Sequence, residues 1–226
     1  MAKEADKSVK EFVRKVVEEY GNKLASIILI GSTASGELSK VDDYDIEVVF
    51  KDKKDITEEI VYSIGDIARL VDFRIHVYVE HLDQYYKSGE FEAKGDFKGS
   101  STVLLNLEKT TGIILFGKDI LKNVKIDKIP SKEGLALIGR ASIEISRGKL
   151  AKAVLKTAYG YMILQDNKPV EVKDRQYYKA IRDKAEKFFS KEEFTIVDKA
   201  YKMKIGKGEI SKEEAQKFLE KVRAKI

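Results

Sequence analysis

The sequence lacks cysteine and tryptophan and contains only two histidines and two prolines in 226 residues. Without cysteine there is no disulfide framework, no thiolate nucleophile and no cysteine-ligated zinc, and two histidines are too few for a histidine-rich metal site. A chain without cysteine fits a reducing compartment, so we expect a cytoplasmic protein. The longest apolar run, around residues 27–30, is far shorter than the ~20 residues of a membrane span, so no membrane partner is predicted.

The excess of one sign of charge is also small. The chain has 43 Lys and Arg residues and 38 Asp and Glu residues, which gives a net charge of +5. In the C-terminal part the basic residues alternate with acidic ones at helical spacing, which is typical of solvated helix faces. Nucleic-acid grooves show clustered basic residues instead, so a nucleic-acid partner is left open but not indicated. The abundance of Lys and Glu resembles the composition of thermophile proteins.

Helical and strand-like patterns alternate in the first half of the chain. Apolar residues at helical spacing predict two helices, and short apolar runs predict two buried strands. A strictly alternating segment predicts a half-buried strand with one polar face. In chain order the segments are helix 9–20, strands 24–30 and 45–50, helix 56–70, strand 72–80, a helical turn 82–87, a loop with Gly89, Gly95 and Gly99, and an apolar stretch 102–117.

The second half of the chain reads as helical throughout. A Lys- and Asp-rich connector around Pro130 precedes apolar residues at helical spacing, and the last helix opens at Ser211 with a capping-box pattern. We therefore expect a mixed helix-and-strand domain over 1–128 and an all-helical domain over 129–226. The predicted helical segments are 136–164, 175–189 and 191–204.

The stretch between the first two strands carries the candidate chemistry. The first strand ends at Gly31-Ser32, a short helical segment over 33–39 follows, and Asp43 and Asp45 open the next strand. Gly31 allows a ligand phosphate to approach the backbone, while a hydroxyl and the amides at a helix start bind anions. Two aspartates at alternate strand positions project from one face, where hard oxygen ligands hold Mg²⁺ against a triphosphate. The combination predicts phosphoryl or nucleotidyl transfer.

The order of these parts resembles the signature of the polymerase-β-like nucleotidyltransferase superfamily, in which a hydrophobic residue and Gly-Ser are followed after about ten residues by Asp-hydrophobic-Asp-hydrophobic. Here Ile30 and Gly31-Ser32 precede ten residues and then Asp43-Tyr44-Asp45-Ile46. The resemblance covers roughly residues 5–120 and includes residues 111–117, which are similar to a Gly-hydrophobic-Leu-aromatic-Gly element. It implies an α+β fold with a small mixed sheet, followed by the helical domain of minimal archaeal and bacterial members.

The resemblance also implies roles for individual residues. Gly31 and Ser32 would bind the β and γ phosphates of an NTP, with ATP as the first expectation, and Asp43 and Asp45 would ligate two Mg²⁺ ions. A third carboxylate usually completes the site. Asp72 is the candidate because it opens a later strand on its polar face. Two alternatives stay open at this third position, His76 on the same face and Glu47, which is otherwise an edge-strand charge.

The expected function is Mg²⁺-dependent transfer of a nucleoside monophosphate from an NTP to a hydroxyl of an acceptor that the sequence does not identify. The alternative is a catalytically inactive nucleotide-binding or regulatory protein of the same fold. We expect the helical domain to recognise the acceptor or to contact a second copy in a homodimer.

Overall fold

The computed structural model describes residues 2–37, 43–86 and 101–226. They form a mixed four-stranded sheet with flanking helices and a helical C-terminal region, so the predicted α+β fold class is confirmed. Ser39 of the signature stretch and the loop with Gly89, Gly95 and Gly99 lie outside the described residues.

The chain divides into two compact units. Of the described residues, the first unit holds 2–35, 43–86 and 107–125, and the second holds 36–37, 101–106 and 126–226. The domain boundary at 128/129 stays a prediction. The elements that begin in the first unit are α1 (Ala2–Tyr20), β1 (Leu24–Ile30), α2 (Gly31–Ser35), β2 (Tyr44–Phe50), α3 (Glu58–Val71), β3 (Ile75–His81), α4 (Asp83–Tyr86) and β4 (Ile113–Gly117), with α5 (Thr102–Thr111) shared between the units.

The strands lie in the order β3-β2-β1-β4. The β1 strand is antiparallel to both β2 and β4, whereas β2 and β3 are parallel. The parallel pair needs a crossover connection, and α3 supplies it between β2 and β3. Because of these directions, the end of β1 and the beginnings of β2 and β3 meet at one edge of the sheet.

One face of the sheet carries the main apolar core of the first unit. Phe12 and Val16 of α1 and Ile64 of α3 are fully buried there against Ile46 and Val48 of β2. The helices contribute these side chains at the spacing that places them on one side, and alternate strand residues do the same. The other face of β2 is therefore left for Asp45 and Glu47.

The second unit is a helical bundle. Its α7 helix packs against α6, α8, α9 and α10. The backbones of α6 and α7 approach closely, since a Cβ placed at Gly134 would lie 2.6 Å from the Gly160 carbonyl oxygen. The bounds are α6 (Ser131–Ser146), α7 (Leu150–Asp166), α8 (Tyr177–Ala185), α9 (Lys191–Lys204) and α10 (Lys212–Arg223).

Helix boundaries show what periodicity could not resolve. The segment 136–164 was predicted as one continuous pattern, but it divides into α6 and α7 at Gly148, whose φ of +72° suits glycine. The capping box at Ser211 is confirmed, with Ser211 and Glu214 each bonding the other's backbone. A second capping box at Ser190 was not predicted. Within the described parts of the chain, no helix is both long and apolar enough to cross a membrane.

Candidate active site

The two halves of the signature stretch lie side by side. Ile30, the last residue of β1, pairs with Asp45 of β2. Gly31 follows with a φ of +74°, and a Cβ placed on it would lie 2.6 Å from Asp45 Oδ2. Any other residue would be strained and would press on this carboxylate. The Gly31 backbone, in the first half of the signature, thus lies directly beside the Asp45 carboxylate, in the second half.

A third side chain joins the two aspartates. His76 of β3 pairs with Asp45 across the parallel strands, which places both on the same face. Its Nδ1 lies 3.8 Å from Asp45 Oδ1 and 4.0 Å from Asp43 Oδ2. One ligand atom from each of the three residues lies within 4.8 Å of the others. Asp43, Asp45 and His76 are partly or largely open to solvent, so a ligand can reach them.

Tyr78, the next residue of β3 on this face, holds Asp45. Its hydroxyl donates to Asp45 Oδ1 over 3.3 Å. Burial and the neighbouring negative charges of Asp45 and Asp43 raise the pKa of Tyr78 to about 12, so the phenol remains a donor at neutral pH. A donor of this kind orients a carboxylate that binds a cation.

Asp72, the predicted third carboxylate, has different partners. It follows the end of α3, and β3 begins only at Ile75. Its two carboxylate oxygens accept hydrogen bonds from the Arg74 guanidinium, at 2.6 and 3.0 Å. These bonds lower the pKa of Asp72 to about 2. A further hydrogen bond joins it to Ser8 of α1, which packs on the apolar side of the sheet.

The group of metal-ligand atoms therefore consists of Asp43, Asp45 and His76, without Asp72. The strict alternation that placed Asp72 beside His76 assumed one strand over 72–80, whereas Asp72 lies outside β3. A catalytic role for Asp72 stays a prediction of the sequence.

Glu47 is buried and does not belong to that group. It lies on β2, which has a neighbour on each side, so its interpretation as an edge-strand charge is wrong. Tyr85 donates a hydrogen bond to Glu47 Oε2, and a second hydrogen bond joins Glu47 to the buried Glu108 of α5. Burial, with the nearby negative charges of Glu80 and Asp45, raises the pKa of Glu47 to about 7.

Glu108 completes a buried carboxyl pair. Burial and the neighbouring charge of Glu47 raise the pKa of Glu108 well above its usual value. Two buried carboxyl groups that share a hydrogen bond cannot both be ionised without a large cost in free energy, so Glu108 is the neutral partner that donates to Glu47. Glu108 is the one acid of the segment 102–117, but Asn106 and Lys109 lie beside it, so no sequence pattern set it apart as a buried group.

Two further contacts organise the connection between the halves of the signature. The Thr33 hydroxyl of α2 donates to the Asp43 carbonyl oxygen over 2.7 Å, which ties α2 to the start of β2. Glu37 belongs to the second unit, where its carboxylate accepts from the backbone N–H groups of Tyr178 and Lys179 at the start of α8. Neither contact could be read from the spacing of the signature.

The side chains present fit a hard divalent cation. Mg²⁺ prefers oxygen ligands and is commonly bound by one or two carboxylates together with substrate phosphates. Asp43 and Asp45 supply those carboxylates, and the absence of a side chain at Gly31 leaves room beside Asp45. An imidazole is a poor ligand for Mg²⁺. His76 is therefore better suited to proton transfer than to holding this ion.

Comparison with known proteins gives two findings. Residues 9–96 match the family model described as a nucleotidyltransferase domain. Spectinomycin adenyltransferase AAD(9) from Enterococcus faecialis, solved with ATP and spectinomycin, is 13% identical, and the superposition covers 96% of this chain and 98% of that chain with a TM-score of 0.62. This likeness extends the shared fold over nearly the whole chain.

A toxin–antitoxin structure with AMP-PNP is 22% identical over 49% of this chain and 74% of that chain, but its TM-score of 0.32 is too low to indicate a shared fold. No curated protein matches the chain.

Proposed function

We propose that the chain, whose residues 9–96 match a nucleotidyltransferase domain, is a nucleotidyltransferase of the polymerase-β-like superfamily. It uses Mg²⁺ to transfer a nucleoside monophosphate from an NTP to an acceptor hydroxyl. ATP is the proposed donor, and the AAD(9) structure solved with ATP supports that choice. The acceptor is a molecule with a free hydroxyl group.

The observation that carries the proposal is the contact between Gly31 and Asp45. A glycine with a φ of +74° gives a phosphate access to the backbone, and this backbone lies against a carboxylate that shares its cluster with Asp43. An anion-binding turn beside a pair of acidic ligands is the arrangement that a metal-bound triphosphate requires. Ser32, at the start of α2, is proposed as a phosphate contact from the same turn.

In the proposed reaction the acceptor hydroxyl oxygen attacks the α-phosphorus of the NTP. The new O–P bond forms as the bond between the α-phosphorus and the bridging oxygen breaks, and pyrophosphate leaves. His76 accepts the hydroxyl proton, and Tyr78 keeps Asp45 oriented. Asp43 and Asp45 would hold Mg²⁺, two ions by the superfamily resemblance, which neutralises the negative charge on the phosphates.

Position-specific labelling of ATP tests the reaction type. Compared with the extract alone, the full chain with Mg²⁺ and a cell extract is expected to transfer additional label from [α-³²P]ATP to an acceptor and no additional label from [γ-³²P]ATP, because pyrophosphate is the leaving group. The Asp43→Ala/Asp45→Ala variant is the control and should add no label to the extract background. Additional γ label that requires the chain would contradict nucleotidyl transfer, and nucleotide binding with no additional label would favour the inactive alternative.

A pair of variants separates His76 from Asp72 at the third position. His76→Ala is expected to reduce turnover by about 10²-fold or more, the usual contribution of a general base. Asp72→Asn is expected to leave turnover within about threefold, because the Asp72 carboxylate is already hydrogen-bonded to Arg74 and would contribute to local structure and not to the reaction. Initial rates at saturating MgATP, together with the pH profile of each variant, measure the difference. The opposite pattern would support Asp72 as the third carboxylate of the site.

A further inference from the structure

The outward side of α3 exposes large apolar side chains. Ile64 and Ala68 face the core, whereas Tyr62 and Leu70, eight positions apart, are 67% and 86% exposed. Residues at this spacing lie on the same side of a helix. Phe73, two residues beyond the helix end, is 81% exposed. Single exposed apolar residues are ordinary, but an aligned group of them marks an interaction surface.

The polar residues between Tyr62 and Leu70 show which partner suits this surface. Asp66 and Arg69 are exposed, lie on the same side and form an ion pair of 2.8 Å. If a second α3 packs antiparallel about a two-fold axis between these residues, Asp66 of each chain faces Arg69 of the other. A parallel arrangement would set like charges against each other, at a cost in affinity. The charges thus favour a second, antiparallel copy. A surface on which each charge faces its opposite in the second copy complements itself, and such a surface forms an isologous interface.

We propose that the outward side of α3, comprising Tyr62, Asp66, Arg69 and Leu70, is a self-association surface on which a second copy of the chain packs antiparallel. One helix pair buries less area than the ~1,600 Å² of a standard interface, so the dimer is weak and depends on concentration. This surface lies on the opposite side of α3 from the sheet, and the inference does not depend on the proposed reaction.

Sedimentation equilibrium of the full chain tests the proposal. The mass is expected to rise from 25.7 kDa toward twice that value as concentration increases, over a range from about 1 µM to about 1 mM. Leu70→Ser is expected to remove the increase. Because Leu70 is exposed, this variant should fold, which its circular dichroism will verify.

Charge reversal distinguishes the antiparallel arrangement from general apolar association. Asp66→Arg is expected to raise the dimer dissociation constant about tenfold, since two attractive pairs become repulsive in each dimer. Asp66→Arg/Arg69→Asp should restore it to within about threefold, because the opposite charges face each other again. Asp52→Arg, which changes the net charge equally at an exposed position outside α3, is the matched control. A mass of 25.7 kDa at every concentration, or a double variant no better than Asp66→Arg, would overturn the proposal.

Discussion

Replacing Asp45 with Asn is expected to reduce nucleotidyl transfer by about 10³-fold, or about 4 kcal/mol of transition-state stabilisation. Asp45 is the residue on which the site converges: the Gly31 backbone, the Tyr78 hydroxyl and the His76 ring all lie against its carboxylate. An amide has nearly the same shape but no charge, so it cannot balance a divalent cation. Transfer of the [α-³²P]ATP label, at saturating MgATP, measures the loss.

A binding measurement keeps this prediction independent of the unidentified acceptor. Titration of Asp45→Asn with Mn²⁺ in the presence of ATP should show metal affinity weakened by about tenfold or more, as expected for loss of a ligand. Asp52→Asn, an exposed acid of the same unit, is the matched control and should match the unaltered chain in both assays. If Asp45→Asn bound metal and transferred label as well as the control did, Asp45 would not be a metal ligand.

The part of the site that could be predicted is the part that depends on local geometry. Gly31 and Asp45 are separated by fourteen positions, but each is fixed by its own strand end, and antiparallel pairing of β1 with β2 brings those ends together. The signature contains both strand ends, so two apolar runs and their flanking residues sufficed to predict that Gly31 and Asp45 belong to one site, although the antiparallel pairing itself was not predicted. Packing of the described helices did not have to be known.

The third position shows where a local pattern is insufficient. Alternation predicts a face only for residues that are in the strand, and Asp72 precedes β3 by three residues. There the bonds to Arg74 decide its orientation, and no sequence pattern predicts such a pair. His76 was placed correctly on the polar face, but its proximity to Asp45 follows from the parallel register of β2 and β3, which periodicity does not contain.

The helical unit raises the same difficulty at a larger scale. Apolar spacing predicted helices over most of it, yet the turn at Gly148 could not be placed, because the apolar residues of α6 and α7 continue the same pattern across it. The close approach of Gly134 and Gly160 depends on residues of two helices. Such contacts have no signal within a single segment.

Raising the pH from about 5 to about 8 is expected to lower the free energy of unfolding through the buried pair of Glu47 and Glu108. In the folded chain the pKa of Glu47 is raised from 4.5 to about 7, so the folded state binds more protons than the unfolded state between these values. The stabilisation is fully present below the pKa of the unfolded state and is lost as the pH rises through the pKa of the folded state. This difference in pKa corresponds to about 3 kcal/mol in the free energy of unfolding.

The double variant Glu47→Gln/Glu108→Gln is expected to remove this decline, because neither amide titrates and the two can still bond to each other and accept from Tyr85. Glu47→Gln alone should keep part of the decline, since burial still raises the pKa of Glu108. Urea midpoints of the full chain, measured at closely spaced pH values, give the comparison. Glu59→Gln changes an exposed glutamate of α3 and should retain the decline of the unaltered chain. If the double variant lost stability in parallel with the unaltered chain, the proton would not be held by this pair. The other carboxylates near β2 would then have to account for the pH dependence.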